Sequence, residues 1–186
     1  MAAFFERKKK PLVGLALIIG MILVDQLTKW AIVERVLMPA RHPDMIPLGL
    51  VEWFGNPDKL GPVSITVFPF FNLSMVWNHG ISFGLFQSDT PYFLIGLALL
   101  ISVIFAVWLW RSTAWTQAIA LSMVIGGALG NVIDRFHFGA VADFFDFHIM
   151  GWHYPAFNMA DSFITIGIAI LVFDSVFLEP KRNPSK

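Results

Sequence analysis

Four long apolar runs alternate with polar stretches along the chain. Pro11 to Val33 follows a basic cluster, Arg7 to Lys10, and its only charges are Asp25 and Lys29. Tyr92 to Trp110 carries no charge. A short turn with Arg111 and Trp115 separates it from Gln117 to about Ile133, and a last run from Asp161 to about Phe177 is closed by Glu179, Lys181 and Arg182. A hydrocarbon core about 30 Å thick needs roughly 20 such residues per helix, so the pattern predicts four membrane-spanning helices. The first follows its basic cluster as a signal peptide would. No small-x-small cleavage site comes next, and VDQLTKWAIV continues the helix, so we read an uncleaved span.

Between the first two runs the chain turns polar. Pro39, Pro43, Pro47, Pro57, Pro62 and Pro69 fall among scattered charges from Glu34 to Thr90, which marks an extramembrane segment. Ser64 to Trp77 is β-branched and aromatic, which predicts short strands lying on the membrane interface; Met38 to Val63 reads as loop. Residues 134–160 form a second segment outside the membrane. The expected fold is an all-α membrane protein, a single integral domain over residues 1–186. It has four transmembrane helices (about 11–33, 92–110, 117–133 and 161–177) and a small extracytoplasmic β-rich segment.

Composition agrees. Of 186 residues, 56% are hydrophobic and 14% charged, where soluble chains carry about 25% charged residues. A net charge of zero supplies no basic face for nucleic acid. The absence of cysteine removes disulfides, thiol nucleophiles and thiolate metal sites together. Positive charge collects at the N-terminus, Arg111 and the C-terminus, which places all three in the cytoplasm. The first and third helices then run outward and the fourth inward. At 1.5 Å per residue Asp25 lies roughly 20 Å from the basic end, so Asp25, Asp134 and Asp161 arrive at the same outer boundary. Acids there are costly and point to function.

Asn131 and Asp134, and again Asn158 and Asp161, stand three apart and share a helix face. The competing readings are a salt bridge to Arg135 for Asp134, and a helix N-terminal acid with Asn158 as its cap for Asp161. Asp25 and Lys29, four apart, can pair. Asp143, in GAVADFF, suggests a strand or turn pressed against the membrane. Two close carboxylates share one proton, the arrangement a water-activating aspartate pair requires. Spacing leaves Asp143, Asp134 and Asp146 all open as the partner of Asp161.

His137, His148 and His153 lack HExxH spacing and read as interfacial or loop histidines rather than a zinc site. Gly80, Ile81, Ser82, Phe83 and Gly84 match G-x-S-x-G, with Lys29 as an imaginable base. That elbow needs an α/β sheet, so the match is accidental. Asn78 beside it is a candidate hydrogen-bonder. Gly126 and Gly130 form a small-xxx-small step for helix packing, and Asp174 is expected to reach the headgroups without a catalytic role.

Taken together, VDQLTK from Val24, NHGISFG from Asn78, GGALGNVIDR ending at Arg135, VADF around Asp143 and PAFNMADS ending at Ser162 resemble one family, the bacterial lipoprotein signal peptidase or signal peptidase II. The resemblance implies a membrane aspartyl endopeptidase that removes signal peptides from diacylglyceryl-modified prolipoproteins, just before the lipidated cysteine. It implies Asp143 and Asp161 as the catalytic pair. Supporting roles fall to Asp25, Asn78, Asn131, Asp134, Arg135 and Asn158, with Lys29 and Gly80 in the same motifs. No cofactor and no metal are expected. The expected partners are a lipid-modified prolipoprotein and membrane lipid, with no nucleic acid, and the chain is taken as a monomer in the bacterial inner membrane. Two features depart from the family: Met38 to Val63 is longer, and Ile81 and Ser82 stand where alanines are common. The alternatives are a small transporter or proton relay using the clustered acids, and a scaffold whose polar loop binds a partner.

Overall fold

The computed structural model describes residues 2–80 and 91–182, so Ile81, Ser82, Phe83 and Gly84 of the G-x-S-x-G match lie outside the described residues. Four helices are long and apolar enough to cross a membrane: Lys9–Arg41, Tyr92–Arg111, Trp115–Phe138 and Met159–Arg182. The first joins α1 (Ala2–Ile32), a π-type turn (Val33–Leu37) and α2 (Met38–Arg41). Helix therefore continues past the expected end at Val33, and residues 34–41 are not loop. Pro39 stands at the start of α2, and the widened turn just ahead of it accommodates a ring that would otherwise meet the carbonyl four residues back. Val33, Leu37 and Met38 are buried, so the apolar stripe carries on at helical spacing.

One further helical turn, α3 (Leu50–Trp53), interrupts the expected loop. Then come β1 (Ser64–Phe68), β2 (Phe71–Asn78), α4 (Tyr92–Arg111), α5 (Trp115–Phe138), β3 (Val141–Ile149), β4 (Trp152–His153), α6 (Met159–Phe173), a second π-type turn (Asp174–Leu178) and α7 (Glu179–Arg182). The strands form one antiparallel sheet in the order β1-β2-β3-β4. Met150 and Gly151 join β3 to β4 with φ of 50° and 81°, the positive pair that a two-residue hairpin demands.

Contacts divide the chain into two compact units. One takes the residues up to Leu23, Ala98–Gly130 and those from Ala160 on. Its core packs Ala118, Leu121 and Ile125 of α5 with Ile18 of α1 and Leu109 of α4. Close approaches include those at Gly126 and its neighbour Gly127: a Cβ on Gly126 would meet Met21 Cβ at 2.9 Å and the Ile18 carbonyl at 3.2 Å, and one on Gly127 would run into the Ala160 carbonyl. Asp174 does not reach outward as expected. It is 1% exposed, and Arg182 donates to both its oxygens at 2.9 and 2.6 Å, with the Thr116 hydroxyl as a third donor.

The other unit takes Val24–Leu97 and Asn131–Met159. Val33, Leu37, Trp53, Leu73, Met75, Phe138, Ala142 and Phe144 form its core. Although residues 42–63 have little regular structure, side chains with fixed donors tie them down. The Trp30 indole donates to Leu48 O at 3.1 Å, the Trp77 indole to Leu60 O at 2.8 Å, and the Leu48 N–H to Glu34 at 2.9 Å. His137 is on α5, not in a loop, and its Nε2 lies 3.2 and 3.0 Å from the carbonyls of Trp53 and Asn56. Both partners are acceptors, so that nitrogen carries the proton.

Candidate active site

Strand β3 carries an acid on each of its faces, because side chains alternate along a strand and Asp143 and Asp146 are three apart. Which polar residues meet each acid depends on the register with β2. Asn72 pairs with Asp146 and Leu73 with Phe145, but after a shift between Leu73 and Val76 the pairs are Val76 with Asp143 and Asn78 with Val141. The shift adds one residue to β2. Without it Asn78 would face away from Asp143, since a slip of one residue exchanges the two faces of a strand. With it Asn78 becomes the diagonal neighbour of Asp143, and its Nδ2 donates to Asp143 Oδ2 at 3.0 Å.

The second oxygen of Asp143 is held from the chain just ahead of α6. Asn158 Nδ2 donates to Asp143 Oδ1 at 2.7 Å, and lies 3.1 Å from Asn131 Oδ1 and 3.3 Å from Ala142 O. Asp143 is 1% and Asn158 0% exposed. Asp161 follows in the first turn of α6. Both amides are oriented by their own partners. The Gly80 N–H donates to Asn78 Oδ1 at 3.0 Å, while Arg135 binds Gly80 O at 2.9 Å and Asn131 O at 3.3 Å.

Behind these amides lies a charged cluster. Lys29, 1% exposed, places Nζ 2.8 Å from Asp25 Oδ2 and 2.8 Å from Asp134 Oδ2. It also donates to Asn131 Oδ1 at 3.2 Å, so the three N–H donors of an ammonium have three acceptors. The expected pairing of Asp25 with Lys29 is present. Asp134, in contrast, pairs with Lys29 rather than with its neighbour Arg135. Asp134 also accepts from the Ala142 N–H at 3.1 Å, which fastens α5 to the start of β3. Gln26 was not foreseen: its Nε2 bridges Asp25 Oδ2 at 3.1 Å and Asp134 Oδ1 at 2.9 Å. Its place beside Asp25 and three before Lys29, on the same helix face, was the signal available in VDQLTK.

Asp146 belongs to a separate cluster on the opposite face of β3. His153 Nδ1 donates to its Oδ1 at 2.7 Å, and Ser74 and Asn72 to its Oδ2 at 2.8 and 3.3 Å. Burial pushes the Asp146 carboxyl up, but the hydrogen bonds from His153, Ser74 and Asn72 and the charge of His153 outweigh it and hold it below the ordinary value. His148 and His153 pair across β3 and β4 and stack at 4.9 Å, so they are sheet residues and not loop residues.

The chain matches the family model described as signal peptidase (SPase) II over residues 17–177. It is 33% identical over 178 residues to the lipoprotein signal peptidase of Methylobacterium sp. (strain 4-46), covering 94% of this chain and 95% of that protein. To the lipoprotein signal peptidase of Acinetobacter baylyi it is 37% identical over 177 residues, covering 92% and 86%. A bacterial membrane enzyme solved by the in meso method at 2.3 Å resolution superposes with a TM-score of 0.65 at 25% identity, covering 93% of this chain and 90% of that one. A match across nearly the whole chain, in sequence and in fold, shows that this protein belongs to the signal peptidase II family.

Proposed function

We propose that the chain, a multi-pass protein of a bacterial membrane that removes signal peptides from lipoproteins, does so as an aspartic endopeptidase whose working pair is Asp143 and Asp161. The observation that carries this reading is the setting of Asp143. Asp25 and Asp134 are bound to Lys29, Asp146 to His153 and Asp174 to Arg182. Asp143 is buried, with one carboxamide donating to each of its oxygens, and the helix that follows Asn158 opens with Asp161.

In this reading one carboxylate takes a proton from a bound water and the partner carboxylic acid polarises the scissile carbonyl, so no covalent intermediate forms. Asn78, Asn131, Asn158, Gly80 and Arg135 hold the pair in place, and the Asp25–Lys29–Asp134 cluster holds the amides. The N-terminus, Arg111 and the C-terminus face the cytoplasm by their positive charge. The sheet and the site then lie at the outer membrane boundary, where a substrate with its lipid chains in the bilayer presents the bond just before its lipidated cysteine.

The test is a gel-shift cleavage assay with purified enzyme, using a diacylglyceryl-modified prolipoprotein beside its unlipidated form, with and without a chelator. Cleavage of the lipidated form alone, indifferent to the chelator, is expected. Chelator-sensitive cleavage would sink the aspartic reading.

A further inference from the structure

We infer that the run MIPLGLV, residues 45–51, is a membrane contact outside the spans, seated in the headgroup layer beside the end of the first span, with Ile46 and Val51 turned into lipid. The run carries no charge and lies between Asp44 and Glu52. Ile46 is 87% and Val51 86% exposed. Its depth comes from the first span. Lys9–Arg41 has 33 residues, about 50 Å of helix at 1.5 Å per residue, against a hydrocarbon core about 30 Å thick. Counted from the basic cluster that ends at Lys10, roughly 20 residues cross that core. Its far boundary then falls near Trp30, and the turns up to Arg41 stand in and above the headgroups. After Arg41 the chain comes back down. The Trp30 indole donates to Leu48 O at 3.1 Å, and the Leu48 N–H donates to Glu34 at 2.9 Å, so Leu48 is level with residues 30–34.

The side of the helix is fixed as well. Leu23, Leu27, Trp30 and Glu34 follow at steps of four, three and four, which is one helix face. Leu23 and Leu27 are 55% and 43% exposed, the apolar surface that a span offers to lipid. Glu34, the next residue up that face, is 7% exposed and binds Leu48. The run therefore lies on the lipid-facing side of the span, where hydrocarbon gives way to headgroups. Its backbone is fitted to a place with little water, where irregular chain must have its polar groups bonded within the protein. Glu34 and Trp30 take the Leu48 N–H and carbonyl, Glu52 accepts from the Gly49 N–H at 2.7 Å, and the Trp53 N–H donates to Gly49 O at 2.9 Å. Pro47 has no N–H to satisfy. Around that pinned centre α3 buries Trp53, at 3% exposed, and leaves Val51 facing outward. Trp30 itself, with the Arg35 guanidinium 4.9 Å from its ring centre, is the kind of amphipathic pair found at this level. The same segment is bonded to Trp77 of β2 and His137 of α5, so a lipid seat here holds both elements at a set height.

The chain has no cysteine, so Ile46→Cys and Val51→Cys each give a single site for a nitroxide label. Leu27→Cys on the span and Asp58→Cys, exposed further along the segment, serve as lipid and water references. The full chain is reconstituted in vesicles of phosphatidylethanolamine and phosphatidylglycerol. Electron paramagnetic resonance then compares collisions with oxygen, which concentrates in lipid, and with the nickel complex NiEDDA, which stays in water. The oxygen-to-nickel ratio at 46 and 51 should stand well above that at 58 and approach that at 27. A ratio at 46 and 51 equal to that at 58 overturns the contact, because the run then faces water. Exclusion of both reagents overturns it too, because the run is then covered by protein. Either result is independent of which acids cleave the substrate.

Discussion

Asn158 Nδ2 stands 2.7 Å from Asp143 Oδ1, so the residue that aligns one acid of the proposed pair lies on the same short stretch, NMAD, that carries the other, Asp161. Anything that moves the start of α6 therefore acts on Asp143 as well.

Asp143→Asn and Asp161→Asn should each lower kcat by at least the roughly 10²–10⁴-fold that a positioned acid or base contributes. Circular dichroism and gel filtration in detergent should still show a folded protein, because an amide fits the volume of a carboxyl, although the new NH2 of Asp143→Asn meets the Asn78 or Asn158 donor and lowers its melting temperature. The gel-shift assay reads the loss, and full activity in either variant would remove that residue from the pair.

Lys29→Met should cost about 3–5 kcal/mol of stability, the usual effect of leaving buried charges without their partner. Asp25 and Asp134 are 0% and 1% exposed and have no water to turn to. Adding Asp134→Asn should recover part of the loss. Thermal unfolding in detergent of the single and double variants checks this, and equal stability of the two would show that the acids do not repel.

Gly127→Ala should destabilise by about 1–3 kcal/mol, as overpacking does, because its methyl would meet a backbone carbonyl of Ala160 that has no rotamer to change. Gly20→Ala and Gly96→Ala meet nothing within 4 Å and should be neutral or gain up to about 1 kcal/mol from helix propensity. The three melting temperatures, measured side by side, decide whether close helix approach or mere helix content is at stake.

Asp146 should make the sheet sensitive to acid. Its folded carboxyl lies below the ordinary value, so its stabilisation is complete above an unfolded value of about 3.9 and is lost as pH falls through the folded one. The stability gap between the parent and Asp146→Asn should therefore be fully present at about pH 5 and close below about pH 4. Unfolding followed over that range reads it; a gap that widens toward acid would contradict the sign.

The four spans were legible because bilayer thickness fixes how many consecutive apolar residues a helix needs, and that count is a property of the sequence alone. So were the two strands on either side of Pro69, and the motifs that bring Asp25, Asn78, Asn131, Asp134, Asp143 and Asn158 into one hydrogen-bonded network. Local pattern misled where a residue's neighbours in space outvoted its neighbours in the chain. The first span was expected to end at Val33 and Met38 onward to be loop, yet buried Val33, Leu37 and Met38 keep the helix going. Asp174 looked interfacial, yet Arg182 holds it inside.

What the acids do was beyond local reading, because it depends on partners far apart in sequence. Asp134 goes to Lys29 rather than to adjacent Arg135, since Lys29 Nζ reaches it at 2.8 Å. Asp143 and Asp146, indistinguishable by composition, part company because they occupy opposite faces of β3. The shift between Leu73 and Val76 then turns Asn78 toward Asp143. A strand's period of two makes a single inserted residue decide which side chains meet, and no window of sequence around Asp143 contains that insertion.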